Sequence, residues 1–491
     1  MSITMSSRTF NAGDLIWSEN AVAYALHVDA SKNYCAECLT PASPQPLSRC
    51  SKCRHVFYCN RVCQKTHWPV HKRECACIVS SGAFPVATLR LLFNIITSKL
   101  YKTDPMFDSL ESHVDELLGC ASTNLMMEQA YGMLMVFSNK TIDISKENFY
   151  RLFGMVKVNA FHLTNECGNE IGIALFRRSS KVDHSCMPNA DFAFIGKQIK
   201  IIACDRIVDQ SEIRISYVDA LMSTKSRQAE LTSGYFFVCD CKRCRDFGQD
   251  FDSRIPPCCG KRLRGPVSDL SDNRMVAWPT DEALLASSLA KYTTVAPEEV
   301  LICDECHKAY NSAIFDAFEQ RTSEIHVLKD AVNLYKACST APDNAYLRLI
   351  YQHKQNMPFA RLCRVIVTTY QLNEDNLKGE ELDLVLEAGL RLMEWLQTTD
   401  WMRRRLFYCS LSCAFLGYLA SVIFVLQDKL PRGEDGSGAV TLERLERFSE
   451  AFVHTTLAAA PCIKLFAPHL ASVAEQLARL TAFAENLNVH I

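Results

Sequence analysis

The sequence predicts an α+β, multidomain chain, and three observations carry that prediction. Residues 35–75 form a dense block of cysteine and histidine, residues 156–217 break into short β-rich runs, and the chain from about residue 311 onward follows helical spacing. At roughly 150 residues per domain, a chain of 491 residues makes about three domains. With 53 Lys+Arg against 55 Asp+Glu, the net charge of −2 lacks the basic surplus of a dedicated nucleic-acid binder. Hydrophobic residues at 48% and charged residues at 22% exclude a disordered chain.

Taken in order, residues 9–28 open with a turn at Ala12-Gly13-Asp14 and continue as short strands. Residues 80–155 read mostly as helix, with Leu89, Leu92, Phe93 and Ile96 on one face. The runs KVNAF, GIALF, ADFAFIG, IKIIA and EIRISY then read as strands separated by turns, followed by a second cysteine cluster at 239–244. Residues 248–310 are turn-rich and end in a further C-x-x-C. Beyond them, Ile325, Leu328, Val332 and Tyr335 mark an amphipathic helix, and Leu382, Leu384, Ala388, Leu390 and Leu392 crowd another. LPRGEDGSG at 430–438 is a linker. The charge-free stretch Leu406–Leu426 is long enough to span a bilayer, but its serines and tyrosines and its helical flanks favour a helix buried in a bundle.

The chain holds 24 cysteines. MSITMSSRTFNAGD has neither the charged start nor the apolar core of a signal peptide, and the cysteines fall in C-x-x-C pairs. Both facts point to a reducing compartment and zinc rather than to a disulfide framework. In the block itself, Cys35-x-x-Cys38, Cys50-x-x-Cys53, Cys59-x-x-x-Cys63 and His71-x-x-x-Cys75 supply the ligands for two tetrahedral zinc ions. His67 and His55 compete with His71 for the histidine position. So short a segment, containing Pro41, Pro44 and Pro46, cannot bury enough apolar surface to fold unaided, so metal would supply most of its folding energy.

The order C-x2-C, C-x2-C, YC-x3-C-Q, H-W-x2-H-K-x2-C resembles a MYND zinc finger. The resemblance implies interleaved ligands, with Cys35, Cys38, Cys59 and Cys63 on one ion and Cys50, Cys53, His71 and Cys75 on the other. It also implies a protein-interaction module that takes proline-containing peptides. Behind the finger come V-D-H-S-C-M-P-N at 182–189, E-I-R-I-S-Y at 212–217 and C-x-C-x-x-C at Cys239, Cys241 and Cys244. Together with L-E-S-H-V-D at 110–115, N-A-F at 159–161 and G-Y-F-F-V-C-D-C at 234–241, the set resembles the SET-and-MYND (SMYD) lysine methyltransferases over roughly residues 9–247.

That resemblance implies a SET domain in pieces: 1–34 as its apparently truncated N-terminal part, 35–75 as the finger, 76–155 as a helical insertion and 156–220 as the core. A post-SET zinc segment at 221–250, a divergent loop at 251–310 and an all-helical, TPR-like domain at 311–491 would follow. The implied cofactor is S-adenosylmethionine, contacted by Glu111 and His113, gripped by Asn159, Asp183 and His184, and faced by Phe237. Tyr217 would be the catalytic tyrosine and Tyr235 would line the lysine channel; read alone, Tyr217 is a structural tyrosine ending a strand. Cys186 would join Cys239, Cys241 and Cys244 around a third zinc. Cys258, Cys259, Cys303 and Cys306 offer a fourth, with His307 as an alternative ligand.

The implied substrate is a histone or non-histone protein lysine, met by a monomer in nucleus and cytoplasm, with no nucleic-acid or membrane partner. Departures from the family pattern are MSITMSSR in place of a G-x-G-L strand, Asp183 for Asn, Ala174 for a second glycine and Phe176 for Tyr. They keep open a reading from another class, a non-catalytic zinc-dependent adaptor.

Overall fold

The structure is a computed structural model. It describes residues 9–42, 46–165, 170–219 and 222–245, and beyond them only separate stretches, chiefly 263–264, 300–303, 309–311, 328–340 and 357–370. The chain divides into two compact units, Met1–Ile215 with Glu230–Val238, and Ser216–Ala229 with Cys239–Ile491.

In the first unit, strands β1 (Leu15–Asn20) and β2 (Ala23–Leu26) follow the expected turn, in which Gly13 takes φ +92° and donates its amide to Ala203 O. A pair of two-residue antiparallel strands, β3 (Ser48–Arg49) and β4 (Phe57–Tyr58), leads to the long helix α1 (Arg61–Ser81). Asn60 caps α1 by accepting from Cys63 N at 2.9 Å, and Gly82 ends it in the left-handed conformation. The helices α2 (Ala87–Thr97), α3 (Leu100–Thr103), α4 (Met106–Ser109), α5 (Val114–Gly119), α6 (Ala121–Phe137) and α7 (Lys146–Asn159) fill the expected helical region. Leu89, Leu92, Phe93 and Ile96 are buried, as their spacing requires.

Strands β5 (Phe161–Thr164) and β6 (Glu170–Leu175) join β2 in an antiparallel sheet of order β2-β6-β5, with Leu26 opposite Gly172. A Cβ at Gly172 would collide with Ala25 O, so only glycine lets β6 lie this close to β2. Strands β7 (Ala190–Ile195) and β8 (Gln198–Ala203) pair with β1 in order β1-β8-β7. Phe161, Phe176, Phe192 and Phe194, drawn from both sheets, form one ring cluster with centroids 5.0–6.4 Å apart. Phe176 is wholly buried, a place where the hydroxyl of the expected tyrosine would need a partner.

Two strand expectations fail. In KVNAF, Lys157–Asn159 is the last turn of α7, and the strand begins only at Phe161. EIRISY is not a strand: Gln210–Glu212 is a 3-10 turn and Ile215 makes a single bridge to His184. Its hydrogen-bonding groups go to the 182–189 loop instead. Ile215 N donates to Asp183 O, Ser185 N to Ile215 O, and Arg214 N to the Asn189 side chain. Alternating apolar residues here reflect burial between loop segments, not a ladder.

In the second unit, helix α8 (Thr224–Tyr235), whose last residues cross into the first, is followed by α9 (Lys242–Arg245). The segment read as turn-rich holds a small sheet of β9 (Leu263–Arg264), β10 (Val300–Cys303) and β11 (Ala309–Asn311). Helices α10 (Leu328–Thr340) and α11 (Met357–Tyr370) pack through Tyr335 and Phe359, stacked at 5.4 Å. Among the described residues no helix is long and apolar enough to cross a membrane. Leu406–Leu426, the 430–438 linker, Cys258, Cys259, Cys306 and His307 lie outside the described residues.

Candidate metal centres and cofactor site

The finger assembles around α1. Cys63, His67, His71 and Cys75 recur every four residues and so share one face of that helix. At 1.5 Å per residue, Cys63 and His71 stand about 12 Å apart along its axis, enough to serve two separate ions. The structure gathers Cys35, Cys38, Cys59 and Cys63 into one cluster and Cys50, Cys53, His71 and Cys75 into another, with all ligand atoms of each within 4.8 Å of one another. A tetrahedron with Zn–S near 2.3 Å has edges of about 3.8 Å. The observed edges are close to that: 3.6 Å for Cys38–Cys59, 3.2 Å for Cys59–Cys63, 3.8 Å for Cys50–Cys75 and 3.5 Å from Cys53 Sγ to His71 Nε2. These residues fit zinc.

The rival histidines part company here. His67 Nδ1 lies 3.0 Å from the Tyr58 hydroxyl, and its ring stacks on His71 at 5.7 Å. Burial pushes His67 down to about 4, so it is neutral. His55 stacks on Phe84 instead. The other ring nitrogen of His71, Nδ1, is 3.0 Å from Glu74, whose carboxylate also accepts from Arg90 at 2.7 Å. Burial alone would raise Glu74, but Arg90 and His71 outweigh it and hold the carboxyl at about 2. Sequence reasoning passed over Glu74, although its place three residues after His71 on a helix signals a shared face.

Both clusters are also fastened to the sheets. Tyr24 of β2 donates to Ala36 O at 3.0 Å, Lys197 pairs with Glu37, and a Cβ at Gly196 would strike Cys38 O. Finger cysteines, α2 and β6 belong to one apolar core.

The expected cofactor residues fall in two groups. A Cβ at Gly154 would collide with Ser112 O, so glycine lets the 111–113 segment lie on α7. Asn159, at the end of α7, donates to Glu111 O at 2.8 Å, and His113 Nε2 lies 3.0 Å from the Glu111 carboxylate. His113 and Phe236 both hold left-handed backbones, φ +45° and +63°, and their rings stack at 5.0 Å. Such conformations cost on the order of 1–3 kcal/mol each in non-glycine residues and gather at functional sites. In the second group, His184 lies 5.9 Å from Phe237, and its Nε2 is 3.2 Å from Cys186 Sγ. Asp183 is largely exposed and faces Arg214 at 3.7 Å. The adjacent Phe236 and Phe237 thus touch one group each.

Tyr235 ends α8 half-buried, and burial, with Glu230 adding to it, pushes its phenol up to about 12. Tyr217 is half-buried in a bend of the second unit. In that unit Cys239 is bracketed by Gln228, which donates to its carbonyl and accepts from its amide, and Cys244 N donates to Cys241 O. The buried Arg227 guanidinium lies 3.9 Å from Cys244 Sγ, a cation suited to a thiolate.

A family profile described as the MYND finger matches residues 35–75. The match shows a MYND finger at that place in the chain. N-lysine methyltransferase SMYD2-A of Danio rerio is 32% identical over 251 residues, 49% of this chain and 57% of that protein. SMYD2 of Homo sapiens and SMYD2-B of Xenopus laevis match at the same identity and the same shares. The chain therefore spans less than two thirds of the length of these curated relatives. Together, finger and relatives support the SMYD family for this chain.

Proposed function

We propose that the chain is an S-adenosylmethionine-dependent protein-lysine N-methyltransferase, with a SET domain interrupted by the finger at 35–75 and the helical insertion at 76–155. The observation that carries the reading is the facing pair of left-handed residues, His113 and Phe236, beside Glu111 and Asn159. Relatives named N-lysine methyltransferases support it. Bound there, S-adenosylmethionine supplies an electrophilic methyl group. Glu111, His113 and Asn159 hold it from the insertion side, Asp183 and His184 from the loop, and Phe237 offers a ring to the adenine.

The protein's work in this reading is positional. A lysine amine, with a pKa near 10.4 in water, has to lose its proton before it attacks. Aromatic surroundings disfavour the ammonium form and promote that loss. Tyr235 stays protonated and lines the lysine's path, while the Tyr217 hydroxyl orients the reacting groups. Cys186 with Cys239, Cys241 and Cys244 is proposed as a third zinc site, so elemental analysis should return about three zincs or more per chain.

The test is a calorimetric titration of the zinc-loaded full chain with S-adenosylmethionine, followed by Tyr217→Phe. Heat of binding is expected, and its absence at millimolar ligand leaves the adaptor reading in place. Tyr217→Phe is expected to lower turnover about a hundredfold or more while cofactor affinity stays within a few-fold. Undiminished methylation by that variant makes Tyr217 a structural tyrosine.

A further inference from the structure

We propose that Glu74 is the outer-sphere carboxylate of the Cys50, Cys53, His71 and Cys75 centre, and that Arg90 locks it to the sheet that the finger rests on. The proposal depends on reading that cluster as a zinc site. His71 turns Nε2 toward Cys53 Sγ at 3.5 Å, so a metal there takes the Nε2 lone pair. A neutral imidazole then carries its proton on Nδ1, which lies 3.0 Å from Glu74 Oε2. Both side chains are 0% exposed, so water cannot take the carboxylate's place.

A buried carboxylate with nothing else to bind would be costly. Here its second oxygen accepts from Arg90 Nε at 2.7 Å, and Arg90 Nη1 donates to Leu26 O at 3.0 Å. The path from the metal cluster thus runs through His71, Glu74 and Arg90 to the backbone of β2, the strand paired with β6. Ligand histidines held this way keep their tautomer and ring orientation, and loss of the holding group typically costs 10–100-fold in metal affinity. The all-sulfur cluster has no histidine to orient. The effect of Glu74 is therefore confined to one of the finger's two ions.

The experiment uses the full chain with cadmium-113 in place of zinc, read by NMR and by the rate at which a chelator withdraws metal. In Glu74→Gln, the resonance of the Cys3His centre is expected to shift and its metal to leave about 10–100-fold faster. The four-sulfur centre should keep its shift and its rate. Arg90→Gln leaves the carboxylate beside His71 and should give a smaller change at the same centre. Equal changes at both centres, or no change at either, overturn the proposal. Should Glu74→Gln fail to fold, Glu74→Asp puts the carboxylate one methylene further from His71 and is judged by the same two readouts. A parent protein that binds no metal at this cluster overturns the zinc reading itself, whereas failure of the Glu74 role appears only in the variants.

Discussion

Cys59 is exposed and Cys38 and Cys63 are half-exposed in the four-sulfur cluster, whereas Cys50, Cys53, His71 and Cys75 are all buried. The two clusters draw on similar chelating pairs and share a helix, yet they sit in different surroundings. The first is clasped from outside by Tyr24, Lys197 and the Gly196 turn. The second has all four ligands buried and is tied through Glu74 and Arg90 to β2, whereas the first places only Cys35 inside the core that both share with α2 and β6. A ligand pattern specifies which atoms meet a metal; what that metal holds together depends on where the cluster is buried.

Substituting one ligand in each cluster is the strongest way to break this comparison. Cys75→Ser should remove the buried centre and, with it, order in β2 and α2. Zinc binding underwrites the folding of such segments, so the expected loss is several kcal/mol. Cys59→Ser leaves three sulfurs and a position that water can reach, and should disturb only the finger's outer edge. Thermal unfolding together with hydrogen exchange at Val22 N, which donates to Leu175 O, separates the two variants. Equal loss of protection in both would mean that burial does not distinguish the centres.

A smaller effect sharpens the same contrast. Tyr58→Phe removes the hydroxyl beside His67 Nδ1 within a buried pair. Leaving a buried imidazole nitrogen without its partner costs about 1–3 kcal/mol. Metal content should not change, because His67 is outside the ligand set. A variant that loses zinc as well would put His67 back among the ligands.

Much of the finger was legible in the sequence because its spacing encodes chemistry directly: two residues between cysteines place both sulfurs on one ion. Helix α2 was legible because Leu89, Leu92, Phe93 and Ile96 recur at helical spacing, but that face understates its burial: Leu89–Ile96 are buried without a gap, Arg90 and Asn94 included. EIRISY was not, because alternation reports burial and cannot say whether the partner is a strand or, as here, the Asp183–Asn189 loop. The cofactor group was legible only through family resemblance. No local pattern announces that Gly154 lets the Glu111–His113 segment approach Asn159, or that His113 and Phe236 meet in left-handed conformations. The finger's attachment to the sheets was also hidden, because it joins Tyr24 to Ala36 and Arg90 to Leu26 across intervening elements.

The smallest expected effect lies in the metal-free sheet and serves as the reference for the finger. His27 and His162 both meet the Glu170 carboxylate, at 2.6 and 2.7 Å. Burial alone would raise Glu170, but its two histidine partners hold it at about 2; contact with Glu170, joined by Glu230, raises His162. The depressed carboxylate contributes stability above its unfolded pKa of about 4.3, lost as pH falls through about 2. The raised imidazole contributes fully below about 6.5, and that share is lost as pH rises through its folded value. Both side chains are well exposed, at 65% for His162 and 44% for Glu170, so the pair is worth under about 1 kcal/mol. Acid also strips zinc from thiolates, which confounds the low-pH limb. The informative range is therefore pH 5.5 to 8.5, roughly one unit below to two above the free imidazole. Comparing unfolding of the parent with Glu170→Gln, the parent's advantage should be greatest at the acidic end and shrink toward the alkaline end. A constant difference would mean that the two histidines contribute packing alone.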